Sequence, residues 1–150
     1  MSIKLLDNYN DLAFQNAYRN YYDDMGIIDF KHWDRLFVDM EKEDNLNTYL
    51  LFENNVIIGF IQIQNIQFTH WFFKEQCGFI REFWILKQLR NQGYGSRLFD
   101  YIMKRFKEEN IKKVILTTEK VRSFYTNRGF VVDSSYTALN NDIVMTNRVD

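Results

Sequence analysis

The sequence predicts an α/β domain of the α+β kind, with a mixed, mostly antiparallel sheet of about six to seven strands flanked by about four helices. Three observations point there. Apolar residues fill 46% of the 150 positions and aromatics 17%, enough for one core. Short stretches rich in β-branched and aromatic residues alternate with stretches whose apolar positions recur at helical spacing. Several extended stretches are separated only by tight polar turns, which implies hairpins within the sheet. No linker, repeat or low-complexity tract divides the chain, so residues 1–150 read as a single domain.

In chain order, Ile3–Leu6 reads as a strand and Asp11–Asp24 as a helix carrying Leu12, Phe14, Ala17, Tyr18 and Tyr21. Gly26 interrupts. Asp29 is placed to cap a second helix with Trp33, Leu36, Phe37 and Met40 as its apolar stripe. Thr48–Phe52 and Val56–Ile63 flank Glu53-Asn54-Asn55 as a hairpin, and Ile66–Phe73 with Gly78–Leu86 forms a second extended arm. Gly95–Asn110 is the clearest helix, with Leu98, Phe99, Ile102, Met103 and Phe106 on one face. Lys113–Thr117 follows as a strand and Glu119–Asn127 as a short helix ended by Gly129. Phe130–Tyr136 and Asp142–Thr146 close the chain as strands around Asn140-Asn141, giving the order β-α-α-β-β-β-α-β-α-β-β.

Charge nearly cancels, with 19 basic against 20 acidic side chains and a net of −1. That balance argues against a dedicated nucleic-acid or anionic-membrane binder. Its distribution is uneven. Residues 1–55 hold 5 basic and 11 acidic side chains (net −6), and residues 87–113 hold 8 basic and 3 acidic (net +5). A local basic stretch in a neutral chain suits a small polyanion. Lys104, Arg105, Lys107, Lys112 and Lys113 fit a solvated face equally well.

Cys77 is the lone cysteine, so no intramolecular disulfide forms and a reducing cytoplasm is the expected location. The start, MSIKLLDNYNDL, lacks the apolar core of a signal peptide. No apolar stretch reaches the ~18–20 residues of a membrane span. His32, His70 and Cys77 lack close ligand spacing, so no metal is expected. Cys77 has no accompanying His–Asp pattern, and no Gly-x-Ser-x-Gly elbow exists.

The chemistry concentrates in Phe83-Trp84-Ile85-Leu86, a strand end, followed by Arg90-Asn91-Gln92-Gly93-Tyr94-Gly95-Ser96 at the start of the long helix. The two glycines let the backbone turn tightly and present its N–H groups. A helix N-terminus adds about half a positive charge, and Arg90 and Arg97 add full ones. A glycine-rich turn of this kind suits a pyrophosphate, and it equally occurs as an ordinary strand–turn–helix junction. It is not a Walker motif, because no Gly-x4-Gly-Lys-Ser/Thr is present. Nor is it a Rossmann fingerprint, because Leu98 stands where a third small residue belongs.

Arg90-x-x-Gly93-x-Gly95 resembles the Arg/Gln-x-x-Gly-x-Gly/Ala signature of the GNAT superfamily, the acyl-CoA-dependent N-acetyltransferases. About 30 residues on, Val121–Phe130 is similar to that family's Phe-Tyr-x-x-x-Gly-Phe segment. The resemblance implies a single-domain GNAT-like fold and acetyl-CoA as co-substrate. It implies that the backbone of Phe83, Trp84 and Ile85 pairs with the pantetheine arm, with the Ile85 N–H polarising the thioester carbonyl. Asn91, Gln92, Gly93, Tyr94, Gly95 and Ser96, with Arg90, would hold the pyrophosphate. Tyr125 matches the tyrosine that protonates the departing thiolate.

Three positions depart from the pattern. Thr118 stands where many members carry Asn seven residues before the tyrosine, Val121 where Ala is common, and Lys87 where a proline often follows the strand. Thr118 keeps a hydroxyl that can hydrogen-bond the cofactor with shorter reach. Glu82 lies where members often carry an acid, and two readings stand: general base toward the amine, or an outward strand residue paired with Arg81 or a lysine. The acceptor implied is a small-molecule or peptide amine. The acidic N-terminal segment, with Tyr21, Tyr22, Asp23, Asp24, Met25 and Trp33, favours a cationic one. The rival function is a non-catalytic acyl-CoA-binding or regulatory module of the same fold. Hairpins and aromatics are compatible with a homodimer.

Overall fold

The computed structural model describes residues 1–70 and 72–149, with only the backbone of His70. The elements are β1 (Ser2–Leu5), α1 (Leu12–Asp24), α2 (Trp33–Lys42), β2 (Leu46–Glu53), β3 (Val56–His70), β4 (Phe73–Ile85), α3 (Tyr94–Glu108), β5 (Lys113–Thr118), α4 (Ser123–Thr126), β6 (Val131–Val132) and β7 (Ile143–Arg148). Their order is the one the sequence predicts. The strands form a seven-stranded sheet, β1-β2-β3-β4-β5-β7-β6. It is mixed: β1–β2, β5–β7 and β6–β7 pair antiparallel and β4–β5 parallel. Two compact units make up the chain, Met1–Ile63 with Glu82–Tyr101, and Gln64–Arg81 with the chain from Ile102 onward.

In the first unit, α1 opens on Asp11, whose carboxylate accepts the Phe14 N–H at 2.9 Å. Phe14, Ala17 and Tyr18 then fall at helical spacing on the buried face. They pack with Phe37, Met40, Leu50, Phe60 and Trp84 into an aromatic core. Each large side chain buried there stabilises by roughly 1.5–3 kcal/mol.

Asp29 does not cap α2. The helix starts at Trp33, after His32, without a side-chain cap. Phe30 explains the delay, because its ring lies 5.3 Å from that of Tyr22 and 4.8 Å from that of Trp33. That packing keeps the chain before His32 out of the helix.

The β2–β3 turn is made by Asn54 and Asn55, both left-handed at φ 51° and 63°. Two such residues are what a tight type I′ hairpin requires. Past this turn β3 continues without a break to His70, running through Val56–Ile63 and into the segment expected at Ile66–Phe73. The arm's second strand begins at Phe73. Trp71, expected within the arm, lies outside the described residues.

In the second unit the β4–β5 ladder spans three residue pairs, Gly78–Val114, Phe79–Ile115 and Ile80–Leu116. Gly78 is required sterically, since a Cβ there would lie 2.6 Å from the Phe106 ring. Cys77, Ile115 and Val144 form a small core with Phe79 and Tyr136 against it.

Two elements are shorter than the sequence suggests. The helix expected over Glu119–Asn127 covers only Ser123–Thr126, because Thr118 Oγ1 donates to the Lys120 carbonyl at 2.8 Å and stabilises a turn instead. The strand expected over Phe130–Tyr136 covers only Val131–Val132. There Asp133 accepts the Ser135 N–H at 3.1 Å and the Thr146 hydroxyl at 2.9 Å, turning the chain out of the sheet.

Candidate active site

The predicted cradle lies in the first unit and is built from the end of β4, a single 3-10 turn at Lys87–Leu89 and the start of α3. Trp84 and Ile85 are buried, and Phe83 packs on Phe99 with ring centroids 5.7 Å apart. Leu98 and Phe99 are fully buried and anchor the first turns of α3. The strand end and the helix start are therefore fixed, and the turn between them is exposed.

Within that turn Asn91 and Gly93 are left-handed, at φ 64° and 90°. A Cβ at Gly93 would meet nothing within 4 Å, so glycine is needed for its conformation and leaves open space in front of the backbone. Gly95 differs. A Cβ there would stand 3.4 Å from Phe83 Cζ and 3.5 Å from Ile85 Cγ1, which is ordinary contact.

The first α3 hydrogen bond runs from the Arg97 N–H to the Gly93 carbonyl at 3.1 Å. Helix geometry thus leaves the N–H groups of Tyr94, Gly95 and Ser96 without an intrahelical acceptor. No acidic residue occupies this first turn. A pyrophosphate fits such an end, which offers aligned donors, the positive end of the dipole and open space.

Arg90 is already engaged. Its Nε–H donates to the Ile85 carbonyl at 2.9 Å, and its Nη2 donates to Asp24 Oδ2 at 3.0 Å. The same Asp24 oxygen accepts the Trp84 indole N–H at 2.7 Å. The sequence singled out Asp24 only as part of an acidic segment. Its contact with Trp84 and Arg90, 60 and 66 positions away, has no local sequence signal.

Glu82 accepts a hydrogen bond from the Tyr21 hydroxyl. Arg81, one partner the sequence suggests for Glu82, also donates to Gln64 Oε1 at 3.4 Å. Around Tyr21 stand Tyr18, Tyr22 and Phe60, with Tyr18 stacked on Phe60 at 5.4 Å. Burial pushes the Tyr18 phenol far above its ordinary range, and the Glu82 charge adds to the shift.

Thr118 and Tyr125 belong to the second unit. The hydrogen of Thr118 Oγ1 is committed to the Lys120 carbonyl. Tyr125 sits on α4 against the rings of Phe124 and Phe130, with centroids 5.5 and 6.1 Å away. Burial raises its phenol above the ordinary value, and the Arg122 charge opposes the rise. Gly129 closes this helix at φ 92°, with the Phe130 N–H bonded to the Tyr125 carbonyl at 3.1 Å.

The basic segment divides in two. Lys113 leaves the solvated set, since its Nζ lies 3.3 Å from Glu75, 3.8 Å from Asp133 and 3.0 Å from the Tyr136 hydroxyl. Lys104, Lys107 and Lys112 are exposed. Among the described residues no group of three or more His, Cys, Asp or Glu is arranged to hold a metal ion. No helix among them is long and apolar enough to cross a membrane.

A strand end, a turn with left-handed Asn91 and Gly93, and a helix start free of acidic residues make a cradle suited to an anionic ligand. The chain belongs to the Acetyltransferase (GNAT) family, whose model matches residues 7–130, and it is an acyltransferase by that membership. Its fold is similar to that of a predicted acetyltransferase from Clostridium acetobutylicum solved with acetyl-CoA, at 24% identity over 93% of this chain and 95% of that one, with a TM-score of 0.74. It is also similar to a GNAT acetyltransferase from Staphylococcus aureus Mu50 (16% identity, 99% and 100% covered, TM-score 0.69). An aminoglycoside 6′-N-acetyltransferase complexed with coenzyme A shares the fold as well (12% identity, 100% and 98% covered, TM-score 0.74).

Proposed function

We propose that this chain transfers an acetyl group from acetyl-CoA to a primary amine by direct attack in a ternary complex. The observation that carries the reading is the Asn91–Ser96 turn, with its left-handed Gly93 and the donors of Tyr94, Gly95 and Ser96 at the start of α3. Those N–H groups, with Gln92 and Asn91, are assigned to the pyrophosphate. The backbone of Phe83, Trp84 and Ile85 is assigned to the pantetheine arm, and Thr118 to a cofactor contact through its oxygen lone pairs. The similarity to proteins solved with acetyl-CoA or coenzyme A supports the choice of co-substrate.

In the proposed step the amine nitrogen forms a bond to the thioester carbon as the carbon–sulfur bond breaks. The Ile85 N–H stabilises the oxyanion that develops in between. Glu82 takes the proton that the amine loses. Tyr125 gives its phenolic proton to the departing sulfur, and its raised pKa keeps that proton in place at neutral pH. Holding both reactants in line supplies much of the acceleration. The net charge of −6 on residues 1–55 supports a cationic acceptor, and the lone, fully buried Cys77 supports a reducing cytoplasm.

The test is calorimetric titration with coenzyme A and acetyl-CoA, followed by a panel of amines monitored through free-thiol release. Binding with turnover on an amine is the expected result. Binding without turnover on any amine favours an acyl-CoA-binding module, and absence of binding removes the reading altogether.

A further inference from the structure

We infer that Asp24 is a positioning residue for the cofactor side of the site, acting through Arg90 and Trp84 rather than on the acceptor amine. The inference rests on the acetyl-CoA reading above. Its ground is one carboxylate oxygen with two donors from different parts of the cradle: Asp24 Oδ2 accepts the Trp84 indole N–H at 2.7 Å and the Arg90 Nη2 at 3.0 Å. Arg90 in turn donates through Nε to the Ile85 carbonyl at 2.9 Å. The end of α1 is thereby tied to the last residues of β4 and to the first residue of the glycine turn.

The geometry has two consequences. A guanidinium is planar with five N–H donors in a rigid fork. Fixing Nε on the Ile85 carbonyl and one Nη2 hydrogen on Asp24 sets the plane of the whole group. The two hydrogens on Nη1 and the second on Nη2 keep a fixed direction for donating to a phosphate oxygen. Arg90 meets its ligand already ordered, which avoids the rotamer entropy that a free arginine would lose on binding.

The second consequence concerns the peptide that follows Ile85. Its carbonyl is held by Arg90, and the Trp84 ring, only 3% exposed, is held by Asp24 on one side and packs on Phe60 at 5.7 Å. Strand residues on both sides of the Ile85 N–H are thus pinned by a single ion pair and its neighbours.

Asp24 directs one of its two carboxylate oxygens at these partners, and its side chain is 26% exposed. Asp23, the next residue, carries the same charge on the exposed surface. Asp23→Asn, measured beside the Asp24 variants, separates a positioning role from acceptor attraction.

The experiment measures coenzyme A affinity by calorimetry and steady-state kinetics for both substrates in the wild type, Asp24→Asn, Asp24→Ala, Arg90→Ala and the Asp24→Ala/Arg90→Ala double variant. Charge-assisted hydrogen bonds of this kind lead us to expect coenzyme A binding about tenfold weaker in Asp24→Asn. KM for the amine should stay within about twofold. The double variant should be no weaker than Arg90→Ala by more than about twofold, since both remove one arrangement. The indole N–H resonance of Trp84 should move in Asp24→Asn as its acceptor changes, a signature that keeps the test informative if Asp24→Ala fails to fold.

Unchanged coenzyme A affinity in Asp24→Asn, or a KM change confined to the amine, overturns the inference while leaving the wild-type reading intact. Failure of the wild type to bind coenzyme A overturns the reading beneath it.

Discussion

The hydroxyl of Tyr21 on α1 donates a hydrogen bond to the carboxylate of Glu82 on β4. This contact decides how Glu82 is best tested. The phenol fixes the direction of one Glu82 carboxylate oxygen. Glu82→Gln keeps shape and the Tyr21 contact but removes the base. It is expected to lower kcat by about 100-fold, within the usual range for general base catalysis. Acetyl-CoA affinity should not change. Tyr21→Phe removes only orientation and should cost less than tenfold. Full turnover by Glu82→Gln on a protonated amine would show that no base acts there.

The two cradle glycines make opposite predictions for stability. Gly93 is left-handed, so Gly93→Ala stores about 1–2 kcal/mol of strain although a Cβ would meet no atom. That corresponds to a melting temperature lower by a few degrees. Gly95 lies in the first turn of α3, where a Cβ makes only ordinary contacts and Ala is favoured by up to ~1 kcal/mol. Gly95→Ala should therefore leave stability unchanged or raised, its methyl resting against Phe83 and Ile85. Differential scanning calorimetry checks both.

Turn chemistry marks where the sequence was readable. The chain has no proline, and six asparagines (Asn45, Asn54, Asn55, Asn91, Asn110 and Asn141) take left-handed conformations that end or connect its elements. Asn tolerates that region because its short polar side chain bonds locally. The Asn54-Asn55 hairpin and the glycine turn were therefore legible. Long-range pairing was not. Nothing local to Asp24 announces Trp84 and Arg90, and nothing local to Lys113 announces Glu75 and Asp133. Elements overestimated in length, at 119–127 and 130–136, failed where Thr118 and Asp133 bond the nearby backbone and outcompete helix and strand.

Gly78 is the sharpest steric test in the second unit. Its Cβ would fall 2.6–2.8 Å from three atoms of the Phe106 ring, which is fully buried and has no exposed side to move toward. Gly78→Ala should destabilise by about 1–3 kcal/mol through overpacking. Denaturant unfolding measures this, and an unchanged midpoint would mean that β4 shifts freely against α3.

Cys77 should be inert in the folded protein. It is fully buried, and burial together with its hydrogen bond to Glu75 (3.3 Å) pushes the thiol up to about 11. The thiolate, which is the reactive form, is then scarce at pH 8. A chromogenic disulfide reagent should label no thiol in buffer and one after denaturation. Rapid labelling without denaturant would contradict the burial.

Tyr125 and Tyr18 link the site to pH. Burial raises both phenols above the ordinary value, with Arg122 partly opposing the shift at Tyr125. The folded chain therefore keeps protons that the unfolded chain releases above about pH 10. Stability should be unaffected below that value and fall as pH rises beyond it, since the unfolded state then binds fewer protons. Tyr18→Phe, which leaves the proposed acid in place, should flatten this alkaline decline in urea titrations. For turnover, a protonated Tyr125 persists across the neutral range, so kcat should show no loss of the acid before about pH 10. Tyr125→Phe should lower kcat by about 10- to 100-fold at pH 7 with coenzyme A affinity within about twofold. A Tyr125→Phe enzyme with undiminished kcat across that range would assign the proton on sulfur to solvent rather than to the phenol.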